Sequence, residues 1–202
     1  MGAKKAEYPA SKWELKKQRV GLQGSALSFL KGVTMRFSFY RVSADYCDFL
    51  RKVDPCVPYT GDQKSMRPFV GIVLSVNHFQ YYVPLTSPKP KHLHMKNQMD
   101  FLKIKGGEWG AINFNNMIPV PQSCLHKVEL KILETDSKPE KDYKNLLSNQ
   151  LSWCNSHRDI ILHQVGKLYA AVTEGSARKT LADRCCSFLR VEQQCLLYER
   201  LR

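Results

Sequence analysis

The chain has 202 residues, and its seven cysteines, at 47, 56, 124, 154, 185, 186 and 195, include no Cys-x-x-Cys pair. Neither they nor the histidines stand at zinc-ligand spacing, so no metal and no cofactor is expected. No apolar run approaches the roughly 18–20 residues of a membrane span. The start shows no secretory succession of charged, apolar and small residues. These absences together predict reduced thiols and a soluble, cytoplasmic protein. Internal repeats and low-complexity tracts are also missing. Acidic residues are few around residues 67–92, and no pair of carboxylates is set there for acid–base work.

What the chain does have is positive charge: a formal +13 and a pI near 9.5. Such a balance favours a polyanion, with nucleic acid ahead of an anionic membrane surface. The length suffices for a real core in one domain with an appendage. Residues 1–34 carry seven Lys/Arg against Glu7 and Glu14, a local +5 that leaves +8 on the remainder. Trp13, Leu15, Val20, Leu22, Leu27 and Phe29 keep no period, so this segment is expected to be a poorly ordered extension; the alternative is a basic arm that touches RNA. Residues 35–202 are expected to form a single domain.

The centre of the chain runs from Arg67 to His92. Phe69 to Val76 is β-branched and aromatic, Asn77-His78 offers a turn, and Phe79 to Val83 resumes a strand: a β-hairpin. The second strand is expected to stop at Pro84. It opens there into Leu-Thr-Ser-Pro-Lys-Pro-Lys-His, with hydroxyl and ammonium donors suited to a phosphate and prolines that limit the entropy of converging on it. Further strands are expected at 36–42, 99–104, 109–114, 117–121 and 128–133. Ser43 is expected to cap a short helix bearing Tyr46, Phe49, Leu50 and Val53. Ser137-Lys-Pro-Glu140 reads as a capping box. Behind it Tyr143, Leu147, Leu151, Cys154, Ile161 and Val165 form one apolar stripe. A short helix near 166–173, a break at Glu174-Gly175-Ser176 and a terminal helix from Lys179 follow. Strands first and helices after predict an α+β fold: an antiparallel, partly closed β-sheet core surrounded by helices, with a helix-rich C-terminal half.

Three segments carry a family resemblance. Phe-Val-Gly-Ile-Val-Leu (69–74), Tyr-Tyr-Val-Pro-Leu-Thr-Ser-Pro-Lys (81–89) and Ala-Ile-Asn-Phe-Asn-Asn-Met-Ile-Pro-Val (111–120) resemble the ToxN/AbiQ family over the span from Met35 to the last helix. Met35 is similar to the family's own start. The resemblance implies an endoribonuclease toxin of a type III toxin–antitoxin, phage-abortive system, inhibited by a repeat RNA pseudoknot in a closed or dimeric RNA–protein assembly.

Metal-independent RNA cleavage requires an aligned 2′-hydroxyl, charge stabilisation on the phosphorane and proton transfer. Thr86, Ser87, Lys89 and Arg67 supply donors for it. The resemblance places Thr86, Ser87 and Lys89 in the active site, with a basic residue at the position of Arg67, where the family commonly has Lys. An Arg suits electrostatic stabilisation better than general-base work. Read structurally, Thr-Ser-Pro-Lys is an ordinary turn. His92 is an acid–base or RNA-contact candidate with a solvent-facing loop His as the alternative, and Lys91 joins the phosphate-binding set. Tyr59 is a base-stacking candidate, while most aromatics are expected in the core. Lys141, Tyr143 and Lys144, on the first turn of the long helix, line the RNA groove if the resemblance holds; a solvated face is the alternative. Asn113, Asn115 and Asn116 are expected to serve structure. A non-catalytic RNA-binding module and a peripheral membrane protein are the rival functions.

Overall fold

Alternating Val, Phe and Tyr side chains that can be buried on both faces draw the middle of the chain into the two longest strands. In the computed structural model, which describes residues 36–60 and 67–201, these are β2 (Phe69–Val76) and β3 (Phe79–Thr86). Asn77 makes the turn between them with φ 53, a value Asn tolerates better than most residues. The extension expected over residues 1–34 lies outside the described residues.

β1 (Ser38–Val42), β4 (Phe101–Lys103), β5 (Ala111–Asn113), β6 (Ile118–Pro119) and β7 (Leu125–Lys127) complete the sheet. Every pairing is antiparallel, in the order β4-β5-β3-β2-β1-β7, with β6 also on β3. The order leaves β4 and β7 as the two ends, so the sheet is not closed into a barrel. Gly71 is required where it stands: a β-carbon there would collide with the ring of Tyr82, which leans across it to meet Tyr40 edge-on at 5.4 Å.

Six helices surround the sheet among the described residues: α1 (Ala44–Arg51), α2 (Pro90–His94), α3 (Lys138–Ser156), α4 (Arg158–Thr173), α5 (Lys179–Ala182) and α6 (Phe188–Arg200). α4 packs on β2, α6 on β6 and α1 on α6. Buried Phe39, Val70, Tyr81, Val83, Ile112, Val165, Leu168 and Phe188 join these layers. Glu192 is buried beside Tyr81 and Phe188 and accepts hydrogen bonds from Tyr81 and Tyr169, each at 2.8 Å. No helix among the described residues is long and apolar enough to cross a membrane.

The structure departs from the sequence expectations at five points. β3 does not stop at Pro84 but runs to Thr86, because Pro84 sits where β3 changes partners. Leu85 N–H points at Pro68 O (2.9 Å), so the Pro84 nitrogen faces the other side, between β6 on Tyr81–Tyr82 and β5 on Leu85–Thr86. Ser43 occupies the N-cap of α1, yet its hydroxyl donates to Cys124 O at 3.3 Å rather than capping the helix. The last strand is Leu125–Lys127, not 128–133. It pairs with Tyr40–Val42, whereas Lys131 O is held by Lys144 and Leu133 N–H by Asp136. The stripe from Tyr143 to Val165 is two helices, broken at His157, whose ring stacks on Trp153 at 4.0 Å. The terminal helix is also split. Arg184 O, Cys186 N–H and Ser187 N–H bond Asn115 Nδ2, Asn115 O and Asp54 Oδ2, so residues between Ala182 and Phe188 cannot complete a helical ladder.

Candidate active site

The hairpin register sets the site. Phe69 lies opposite Pro84, and the bond from Leu85 N–H to Pro68 O carries the pairing one step further. Continued one step beyond that bond, the same register would bring Arg67, which precedes Pro68, opposite Thr86, which follows Leu85. On its other side Thr86 pairs with Ala111 of β5. Arg67 and Thr86 are half-buried, while Ser87 and Lys89, beyond the strand end, are exposed. Burial lowers the Arg67 pKa, with the Cys47 thiol working in the opposite sense. A guanidinium starts so high that it remains a cation.

The segment after β3 rests on glycine. At Gly110 (φ 91) a β-carbon would overlap Thr86 O and press on Ser87 C and Pro88 N at 3.1 and 3.2 Å. At Gly107 (φ 105) it would meet His92 O at 2.5 Å and His92 C at 2.7 Å. The turn between β4 and β5 thus forms a shelf of bare backbone beneath residues 86–92. Gln150 on α3 secures the shelf from behind, its side-chain amide donating to Trp109 O. As a sequence, Gly106-Gly107 signals only a turn; the shelf exists because the chain on top of it is distant in sequence.

His92 is neither solvent-facing nor placed to touch RNA, which corrects the expectation for it. It is 1% exposed, on the inner side of α2, and its ring lies 5.7 Å from that of Phe101. Burial above all, then the charges of Lys91 and Lys89, lower its pKa. α2 itself is a further difference from the expected loop: Lys89 is its N-cap residue and Pro90 opens its first turn, where a missing N–H costs nothing. Lys89 is extended (φ −142, ψ 143), so the chain leaves β3 straight before it coils.

The electrostatic setting is one-sided. No Asp or Glu occurs between Asp62 and Asp100. Asp100 is turned inward against Arg184, which donates to its Oδ2 at 2.9 and 3.1 Å. Glu108, on the shelf, is paired with Lys105 at 3.0 Å. A phosphate at the end of β3 would therefore meet ammonium, guanidinium and hydroxyl groups.

The family model for Toxin ToxN, type III toxin–antitoxin system, matches residues 38–195. The chain belongs to the ToxN family. It is 30% identical over 165 residues to the Endoribonuclease ToxN of Bacillus thuringiensis subsp. kurstaki, covering 80% of this chain and 84% of that protein. To the Endoribonuclease AbiQ of Lactococcus lactis subsp. lactis it is 27% identical over 186 residues, covering 87% and 97%. The solved structure of AbiQ, a lactococcal anti-phage endoribonuclease of the type III system, superposes with a TM-score of 0.70 at 26% identity, covering 82% of this chain and 99% of that one. A second solved structure, concerned with selective toxin inhibition by a non-coding RNA pseudoknot, gives a TM-score of 0.69 at 28% identity over 82% and 99%.

In this ToxN-family chain the remaining candidates fall apart from the loop or are already engaged. Lys91 is exposed beside it. Tyr59 is 38% exposed and has the Arg51 guanidinium 4.8 Å above its ring. Lys144 is not a free phosphate contact: its ammonium is 2.6 Å from Asp136 and 3.0 Å from Lys131 O. Lys141 donates to Glu134 O at 3.3 Å, and Tyr143 is half-buried. These lysines tie residues 131–136 to α3, which explains why a helix face that reads as basic has little free charge. Asn115 and Asn116 hold Arg184 O and Cys56 O at 3.1 and 2.6 Å, a structural role as expected.

Proposed function

We propose that the chain is an endoribonuclease toxin of a type III toxin–antitoxin system acting in phage abortive infection. It cleaves RNA when the 2′-oxygen of one nucleotide attacks its own phosphorus and the P–O5′ bond breaks, leaving a 2′,3′-cyclic phosphate and a 5′-hydroxyl. The ToxN and AbiQ endoribonucleases among its relatives support the activity. The reading of the site is supported by the bond from Leu85 N–H to Pro68 O, which lies beside Arg67 and Thr86, and by the exposure of Ser87 and Lys89 just past the end of the same strand. Arg67 and Lys89 neutralise the non-bridging oxygens as charge grows on the phosphorane. Thr86 and Ser87 hydrogen-bond the phosphate or the 2′-oxygen and hold the attack in line. Loss of one such donor typically costs about 10²–10³ in kcat. The two cations supply the charge stabilisation, so the reaction proceeds without a metal.

The inhibitor in this reading is a small repeat RNA folded as a pseudoknot, the partner described for a structural relative. It occupies the substrate's position within an oligomeric RNA–protein assembly, and phosphate contacts make its binding steeply salt-dependent. The test is cleavage of a defined RNA in EDTA with mapping of the new ends. Cyclic phosphates and 5′-hydroxyls are expected, and Ser87→Ala should abolish them while RNA still binds. Binding without cleavage by the unsubstituted protein would instead identify a non-catalytic RNA-binding module.

A further inference from the structure

His92 is a buried titratable residue that the proposed chemistry does not use. Its Nδ1 is buried and has no hydrogen-bond partner among the described residues. The residue packs between Phe101 of β4 and the backbone of Gly107. Its own N–H donates to Lys89 O at 2.9 Å, so whatever fixes the ring also fixes the peptide carrying Lys89. The charges that bear on it are those of Lys91 and Lys89 on its own segment; the elements packed against it carry Asp100 and Lys103 at β4 and the Lys105–Glu108 pair on the turn. Lys103 Nζ donates to Leu93 O at 3.2 Å, which pins the same short helix to β4. Glu108 is paired with Lys105 and Asp100 with Arg184, so an imidazolium would meet the charges of Lys91 and Lys89 with no unpaired carboxylate to offset them.

We propose that His92 is a positioning residue: its uncharged imidazole, packed against Phe101 while its backbone rests on Gly107, docks α2 and thereby sets Lys89 at the end of β3. The inference builds on the reading of Lys89 as an active-site cation, but the docking itself is a separate claim. Charging the ring buries an unpaired cation, which the site resists. That is the sense of the lowered pKa. Above the ordinary histidine pKa of about 6.5 the docked and released states bind the same number of protons. As pH falls from there towards the docked-state pKa, only the released state takes up the proton, and docking weakens. Cleavage should therefore show an acid limb that originates in His92 although His92 touches no substrate.

The experiment compares the unsubstituted protein with His92→Phe and His92→Ala, using kcat and KM on a short RNA from pH 5 to 8 and hydrogen-exchange protection of residues 89–95. Phe fills the seat without titrating, so its kcat at pH 7.5 should stay within about threefold of the parent. Its acid limb and the acid-induced loss of protection should both disappear. Ala empties the seat and should lower kcat about 10- to 100-fold, with KM changing less, because Lys89 is displaced rather than lost. Two results overturn the proposal: a folded His92→Phe protein as inactive as His92→Ala at pH 7.5, which makes the imidazole itself chemical, or protection of residues 89–95 that is unchanged between pH 7.5 and 5 in the unsubstituted protein. If that protein cleaves no RNA, the nuclease reading fails, and the exchange data still decide the docking.

Discussion

Gly110 lies directly beneath the carbonyl of Thr86, so close that no β-carbon could be placed between them. The relationship joins two residues that sheet pairing already holds together through Thr86 and Ala111. It means the backbone that presents Ser87 and Lys89 is fixed from below by another backbone, not by side chains that could rearrange.

Gly110→Ala should therefore damage activity more than stability. The positive φ costs about 1–3 kcal/mol in a residue with a β-carbon. In a domain of this size each kcal/mol moves the melting midpoint by about 2–4 °C. The overlap with Thr86 O is relieved by shifting residues 86–88, so cleavage should fall by about 10²-fold while the protein remains folded. Thermal melts and cleavage assays on the same preparation check this.

Arg67→Gln should remove one of the two proposed active-site cations and lower kcat by about 10²-fold, with KM for RNA moving less. Arg67→Lys should recover part of the rate, because charge is kept while the planar fork is lost. Equal, full activity in all three proteins would remove Arg67 from the site.

Lys144→Ala should lower stability and leave RNA affinity within about twofold, since its ammonium is occupied by Asp136 and Lys131 O. The hydrogen bond from Lys144 and the one from Leu133 N–H lower the Asp136 pKa. The stabilisation is therefore present above the ordinary carboxylate range and lost as pH falls through the lowered folded-state pKa. Melts at pH 7 and pH 3 should differ less in the variant than in the parent.

Glu192→Gln should make the protein more stable at pH 8 and change it little at pH 4. Burial raises the Glu192 pKa, against the hydrogen bonds from Tyr169 and Tyr81 that favour its charged form. The folded state then holds a proton that the unfolded state has released, so stability falls as pH rises through that window. Gln keeps an acceptor for the two phenols and removes the buried charge. Glu192→Leu should instead be destabilising by about 2–5 kcal/mol, because the buried Tyr81 hydroxyl and the half-buried Tyr169 hydroxyl lose this acceptor. Thermal melts across pH distinguish the two variants.

The hairpin, the Asn77 turn and the start of α3 are all legible in the residues themselves. At the start of α3 the Glu140 carboxylate accepts from Ser137 N–H at 2.8 Å and from the Ser137 hydroxyl at 2.6 Å, as the four-residue motif implies. The break at His157 and the split ahead of Phe188 are not legible in that way. Apolar spacing of 7, 7 and 4 residues through Leu147, Cys154, Ile161 and Val165 fits one helix or two equally well. Partners from far along the chain act at both places: Phe37 N–H donates to the Asn155 side chain near the end of α3, and Cys186 N–H donates to Asn115 O ahead of α6.

The basic balance, the strand-forming hairpin and the gathering of hydroxyl and ammonium groups just beyond it follow from the residues alone, because composition, period and turn chemistry are local properties. It took the packing of distant segments to bring glycine backbone under the stretch from Thr86 to His92, to turn His92 inward and to pair Lys144. Each of those depends on which distant residue arrives alongside, and that is selected by burial of the whole sheet and its helices rather than by any stretch of neighbours.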